Sequence, residues 1–245
     1  MKSLNKAFDI MEYVLSQDGL PVTPANVAND LGIPVATCVR SLETLVARGY
    51  VEKISRRTGY VAGPALFGLS AHNCPYSRLI KASMAPLKEL AEKTSSLVNL
   101  SVMIAGRRYI LNYHSAVARK ISISKTVYYL DHYVTATGRV LMSTMPRKDV
   151  EAIVDEFGLP NDRWPEIKSR EELFRALVQI KKENIISYKR GPHWVIGGLV
   201  YGESCPPAAI GFAIDENLDP TEALSHTATA IKQMEAELEL KHDFC

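Results

Sequence analysis

The chain has 245 residues, a net charge of +2 at pH 7 and 47% hydrophobic residues. That is enough apolar material for one large or two ordinary cores, and too little charge bias to mark a polyanion-binding protein by the sum alone. The cysteines Cys38, Cys74, Cys205 and Cys245 form no CxxC pair and no Cys/His cluster at metal-ligand spacing, so free thiols in a reducing compartment are expected and no metal site. No apolar run approaches the ~20 residues that cross a bilayer. The first residues carry Asp9 and Glu12 where a signal peptide would be apolar. The expectation is a soluble, cytoplasmic protein with no membrane partner.

Residues 3–17 place Leu4, Ala7, Phe8, Met11, Val14 and Leu15 at the spacing of an amphipathic helix, and Gly19-Leu20-Pro21-Val22 breaks it. Thr23 followed by Pro24 reads as a helix start, a hydroxyl N-cap and then a residue with no N–H to satisfy. Val27, Ala28 and Leu31 supply the inner face of that short helix, and Gly32 its left-handed end. A longer helix runs from Pro34 to Arg48, with Cys38, Leu42, Leu45 and Val46 inward and Thr37, Arg40, Ser41 and Glu43 elsewhere on its circumference. Residues 49–54 and 60–62 read as two strands around Ser55-Arg56-Arg57-Thr58-Gly59. Helix, tight turn, second helix and basic hairpin outline a winged helix-turn-helix, whose second helix enters the major groove while the wing lies along the phosphates. The bases Arg40, Arg48, Lys53, Arg56 and Arg57 gather in that helix and wing. Helix-turn-helix shapes also occur in folds that never touch DNA.

After Gly63-Pro64, residues 65–71 continue helically, Asn73-Cys74-Pro75-Tyr76 interrupts, and 83–93 form a helix with Leu87, Leu90 and Ala91 inward. Strands follow at 97–104, 109–114 and 121–127, the first two joined through Ala105-Gly106. Helices are expected at 136–143, 147–157 and 169–183, the last opening with the capping box Ser169-Arg170-Glu171-Glu172. Strands at 185–188, 195–201 and 208–214 precede a closing helix that starts at Asp219-Pro220-Thr221-Glu222, with Leu224, Ala228, Ile231 and Leu238 inward. Strands, then helices, then strands with short hairpins indicate an α+β fold with an antiparallel sheet. Asp131 and His132 are mere neighbours, and His72, His114, His193, His226 and His242 are scattered. Cys205 precedes the turn Pro206-Pro207. No catalytic residue and no cofactor is expected, which argues against an enzyme.

The motifs LNKAFDIMEYV, LGIP, TCVRSLETLVARGYVEK and GYVAGPALFGLS are followed by MAPLKELAEKTSSLVNLSV and VTATGRVLMSTMP. In order and spacing they resemble the IclR family of bacterial transcriptional regulators, and the likeness runs, fading, over nearly the whole chain. Gly138-Arg139 stands where the family has a small-residue Gly-Lys helix start. The resemblance implies a winged helix-turn-helix DNA-binding domain over residues 1–64 and a helical linker over 65–82. Over 83–245 it implies a GAF/profilin-like effector-binding and oligomerisation domain, an antiparallel sheet flanked by helices. It further implies a homodimer or homotetramer on palindromic double-stranded DNA, controlling catabolic genes in response to a small organic acid.

The expected DNA-contacting residues are Thr23, Val35, Ala36, Thr37, Val39 and Arg40, with Lys53, Arg56 and Arg57 on the wing. Family members usually carry a basic and a hydroxyl residue at the positions of Val35 and Ala36, and an aromatic or His at that of Val39. Apolar side chains touch thymine methyls but make no bidentate bonds to guanine or adenine. Reading would then rest on methyl contacts, Arg40 and the wing. The same apolar face also fits a metabolite-binding protein that has lost sequence-specific DNA recognition.

For the effector, Thr135-Ala136-Thr137-Gly138 opens a helix with small residues, which either leave backbone N–H groups free for a carboxylate or let helix and sheet pack closely. The opposite wall is expected at Val195, Gly197, Gly211 and Ala213, and Trp194, Tyr113 and Tyr129 are aromatics that either stack on a ligand or fill the core. Relatives that bind very small polar acids present serines where this chain has Gly211 and Ala213, and an acid before Trp194 that is missing here. Fewer polar partners and more room favour an aromatic or other hydrophobic carboxylate. Repressor and activator modes both fit.

Overall fold

Described in this computed structural model are residues 2–17, 19–55, 57–70, 75–117 and 127–239. The expected wing residue Arg56 and all but Val127 of the expected strand at 121–127 lie outside them, as do His72, Cys74, His242 and Cys245. The chain divides into two compact units, the first ending its main run at residue 73.

In the first unit, α1 (Lys2–Leu15) buries Ile10 and Val14. α2 (Pro24–Asp30) starts where its cap dictates, the Asn26 amide donating to Thr23 Oγ1 at 3.3 Å. The Tyr13 hydroxyl donates to Asp30 at 2.5 Å, tying α1 to the end of α2, and that bond together with the Asn29 amide holds the Asp30 carboxyl below its ordinary pKa. α3 (Val35–Ala47) packs Cys38, Leu42 and Leu45 inward. β1 (Val51–Ser55) and β2 (Gly59–Ala62) form the hairpin, with Lys53 opposite Tyr60. Val22 adds a third short pairing: it exchanges both backbone hydrogen bonds with Tyr60, at 2.9 and 2.8 Å. Gly59 has φ +108, and a Cβ there would run into the Val22 carbonyl. The hairpin can lie against the segment before α2 only with glycine at that position. α4 (Ala65–Ser70) follows the wing.

The second unit opens with α5 (Pro75–Thr94), which begins eight residues before the helix expected at Ser83. Pro75 starts the helix where the sequence reading had it interrupt, since a first-turn proline has no amide to lose. Leu79 and Ala82 extend the buried stripe that Leu87 and Leu90 continue. The remaining elements are β3 (Leu97–Ile104), β4 (Arg107–Ser115), α6 (Ala136–Met142), α7 (Arg147–Phe157), α8 (Arg170–Glu183), β5 (Ile185–Arg190), β6 (His193–Val200), β7 (Ala208–Asp215) and α9 (Pro220–Glu239). Ser169 and Glu172 make the reciprocal capping box at the start of α8. The five strands are antiparallel in the order β4-β3-β7-β6-β5. Tyr129 returns beside β4 and exchanges backbone hydrogen bonds with Arg108.

Strand alternation divides the core into two layers. Leu100, Ile196, Ile210 and Phe212 face α5 and α9, while Leu199, Ala209 and Ile186 face α6, α7 and α8. α6 lies so near the sheet that a Cβ on Gly197 would stand 2.7 Å from the Ala136 Cβ, and one on Gly211 would collide with Thr137 Cγ2. Gly197→Val is expected to destabilise this unit by about 1–3 kcal/mol through overpacking, read as a lower urea midpoint of its unfolding transition. An unchanged midpoint would mean that α6 can lift from the sheet without cost.

Candidate functional site

On α3, burial of Cys38, Leu42 and Leu45 turns the other side of the helix outward. Val35 is 52% exposed, Ala36 and Arg40 are exposed, and Thr37 and Val39 are half-buried. The four-residue spacing of Val35 with Val39 and of Ala36 with Arg40 puts all four on one face. Among the described residues nothing pairs with the Arg40 guanidinium, so its donors are available. Thr23 is placed differently: its hydroxyl caps α2. On the wing, Lys53 Nζ sits 5.6 Å over the Tyr60 ring and Arg57 is exposed. The Thr58 amide donates to Ser55 Oγ at 2.8 Å and fixes the tip.

In the second unit the four small residues expected at the effector site divide by role. The Gly138 amide donates to Thr135 Oγ1 at 3.1 Å, the N-cap bond of α6. Ala136 and Thr137 are buried against Gly197 and Gly211. Ahead of Thr135 the sheet face is open: Ala213 is exposed, and Val195 opposite it on β6 is half-buried, as is Thr135. Tyr113, 53% exposed, belongs to the same face, being opposite Asn99, itself opposite Gly211. Trp194 is not brought to this face. It neighbours Val195 in sequence, so alternation sends it to the other side of the sheet, among the α5–α9 core residues and under Lys189 Nζ at 5.5 Å.

Three arginines, Arg108, Arg139 and Arg190, hold this region together. Arg108, 4% exposed, donates from Nε and Nη2 to both Asp131 oxygens at 2.8 and 2.6 Å, and from Nη1 to Ser101 Oγ at 2.7 Å. Ser101 donates to Asn99 Oδ1, and Asn99 Nδ2 donates to the Gly211 carbonyl, each at 2.8 Å. The Tyr129 ring lies 4.7 Å beneath the Arg108 guanidinium. Arg139, buried on α6, donates to the Tyr133 and Arg163 carbonyls at 2.9 Å and is flanked by the rings of Trp164 at 4.2 Å and Tyr188 at 3.8 Å. Burial pushes the Arg139 pKa down and that of Tyr188 up. Arg190 is exposed at the end of β5, on the same face as Tyr188, and reaches the Val134 carbonyl at 3.4 Å, which the Tyr188 hydroxyl also bonds at 3.0 Å. No acid pairs with Arg190 among the described residues. Arg108 and Arg190 lie one and two residues beyond the expected strand limits, which is why a reading confined to those limits missed them. The period-two spacing Tyr188–Arg190 was the available signal.

An N-terminal winged helix-turn-helix followed by a five-stranded antiparallel sheet between helices defines a transcription regulator with separate DNA-binding and effector-binding domains. The model of the IclR helix-turn-helix domain matches residues 3–55, and that of the bacterial transcriptional regulator IclR C-terminal domain matches residues 75–190. The chain belongs to the IclR family of bacterial transcriptional regulators. It is 29% identical over 103 residues to the HTH-type transcriptional regulator BhcR of Paracoccus denitrificans (strain Pd 1222), a match spanning 42% of this chain and only 36% of that protein. An IclR homolog from Microbacterium hydrocarbonoxydans, solved in complex with 4-hydroxybenzoate, has a TM-score of 0.79 at 15% identity, covering 96% of this chain and 98% of that one. The IclR regulator of Alicyclobacillus acidocaldarius gives 0.72 at 19% and covers 97% of both chains. At such identities these structures establish the fold alone. Among the described residues no helix is long and apolar enough to cross a membrane.

Replacing Asp131 by Ala should cost about 3 kcal/mol, the lower end for breaking a buried pair because Asp131 keeps 22% side-chain exposure. Arg108→Leu with Asp131→Leu should recover most of that loss in chemical denaturation. If the single and double variants are equally unstable, the pair is not what holds the turn before α6.

Proposed function

We propose that this regulator reads a palindromic operator as a symmetric homodimer or homotetramer, through the Arg40 face of α3 and the phosphate contacts of the wing. Its effector is an aromatic or other hydrophobic carboxylate, held on the open sheet face in front of α6, and its targets are catabolic genes. Residues 1–64 would carry DNA binding, 65–82 the link between subunits, and 83–245 effector binding and oligomerisation.

The observation that carries the effector reading is the exposed Ala213 beside Val195 and Thr135, with Arg190, which has no acid partner among the described residues, on the same face. An apolar wall next to a cation without an acid partner offers a tail and a head separate partners. An acid with little beyond its carboxylate would leave the wall bare. The 4-hydroxybenzoate in the Microbacterium hydrocarbonoxydans complex is of the favoured class. The apolar Val35-Ala36-Val39 face favours one second reading, a metabolite-binding relative without sequence-specific DNA recognition. Where both ligands bind, effector and DNA affinities are reciprocally coupled.

The DNA half is tested on the fragment upstream of the protein's own gene, against unrelated DNA, over a salt series. Arg40→Ala should weaken upstream binding roughly 10- to 100-fold while effector affinity stays. Lys53→Ala with Arg57→Ala should lower the salt slope by about 2. Equal affinity of the unaltered protein for both fragments would favour the second reading. For the effector half, titration calorimetry should show 4-hydroxybenzoate binding more tightly than glyoxylate, and Arg190→Ala losing about tenfold of that affinity. Tighter glyoxylate binding would sink the hydrophobic-effector assignment.

A further inference from the structure

We propose that the cleft between α7 and α8 is a second ligand site in this domain, shaped for an apolar monocarboxylate and separate from the open sheet face. Its basis is the way α8 distributes its residues. Leu173, Leu177 and Ile180 bury one stripe of the helix. Phe174, Leu177, Val178, Lys181 and Lys182 then follow the i, i+3, i+4, i+7, i+8 pattern, so a second stripe begins apolar and ends cationic. Val178 on this stripe is 70% exposed. This exposed hydrocarbon continues outward the apolar wall that Phe174 and Leu177 begin.

Between that stripe and the end of α6 lies a cavity of about 500 Å³, floored by the buried Met142 and Val150 together with Met145. The volume is that of a small-molecule site, and a thioether floor adapts to tails of differing shape. The Ser143 hydroxyl at the cavity donates to the Val140 carbonyl at 2.6 Å and is engaged there. The floor thus presents hydrocarbon and sulfur, which suits an alkyl or aryl tail and gives a sugar or nucleotide few polar partners.

Charge lies at the mouth. Lys181 and Lys182 sit in the last turn of α8 and make no ion pair among the described residues. Arg147 lies 4.2 Å over the Phe174 ring and is engaged by Glu151 at 2.9 Å. The two lysines are therefore the cations open to a carboxylate, at the apolar cleft's own rim. Thr135 and Met142 bracket the seven-residue α6, so the two sites stand at opposite ends of one short helix, roughly 10 Å apart along its axis.

The test uses the full-length protein and octanoate, with 1-octanol as the uncharged counterpart, in titration calorimetry. Lys181→Glu with Lys182→Glu should weaken octanoate about tenfold and leave 1-octanol unchanged. Val178→Glu, which puts a carboxylate on the wall, should abolish binding of both at the cleft. Because these side chains are exposed, the variants should fold, which circular dichroism checks. Ala213→Trp fills the open sheet face, which on the reading above also admits an apolar carboxylate, and should leave only the cleft's share of octanoate binding, so failure of the effector reading would show separately. The proposal is overturned by the absence of saturable octanoate binding in Ala213→Trp, or by octanoate affinity there that the added α8 changes leave unaltered. It is also overturned if Val178→Glu lowers the mass in light scattering while the unaltered protein binds no octanoate, since the cleft would then be a subunit contact.

Discussion

The closeness of α6 to its sheet governs the second unit. With no Cβ at Gly197 or Gly211, Ala136 and Thr137 settle directly onto β6 and β7. That contact fixes the height and direction of a helix only seven residues long, which has too few hydrogen bonds of its own to hold a course. Everything ahead of the helix follows from it. Thr135 must cap where the sheet face begins to open, and the turn from Asp131 to Val134 must cross in front of β7. Ala213, one alternation beyond Gly211, is left uncovered.

A turn so placed is held by polar side chains, and the chain buries two cations there in different ways. Arg108 is neutralised by Asp131 in a bidentate pair, with its third donor on Ser101. Planar, two-pronged pairing of this kind neutralises a buried guanidinium and fixes its orientation. Arg139 has carbonyls and two ring faces instead of an acid. Aromatic quadrupoles contribute about 0.5–2 kcal/mol each to such a cation, and they ask for a flat group. A Gly-Lys pair, as in the helix start this segment resembles, would offer an ammonium that cannot stack face to face. Trp164, Tyr188 and Arg139 are therefore matched to one another.

Legibility in the sequence tracked how local each feature is. The cap at Thr23, the capping box at Ser169, and the turn at Gly32 are written in a few consecutive residues and were read directly. The inner face of α3 followed from periodicity, and the outer face from its complement. The start of α5 was misplaced because a proline reads alike at the head of a helix and in a break. The face expected to hold the effector was legible only in part, since its make-up depends on strand register. Val195 and Trp194 were grouped by adjacency, although a strand must send them to opposite faces. Arg108 and Arg190 were passed over because strand ends are where β signals fade. Asp131, read as a mere neighbour of His132, finds its partner 23 positions back, a pairing no local pattern announces.

Among the described residues the sheet ends at β4, where Tyr129 pairs with Arg108, and at β5, whose outer row of backbone N–H and C=O groups has no strand beside it. Such rows invite a further strand, from a ligand peptide or from another copy in a crowded cell. β5 finishes in Lys189 and Arg190, both exposed. Adjacent cations on an outer strand make a like-charged copy an unwelcome neighbour and keep the backbone row hydrated. The arginine proposed to meet a carboxylate would thus also guard against edge-to-edge stacking, and exchanging it for a smoother, more apolar wall would weaken that guard.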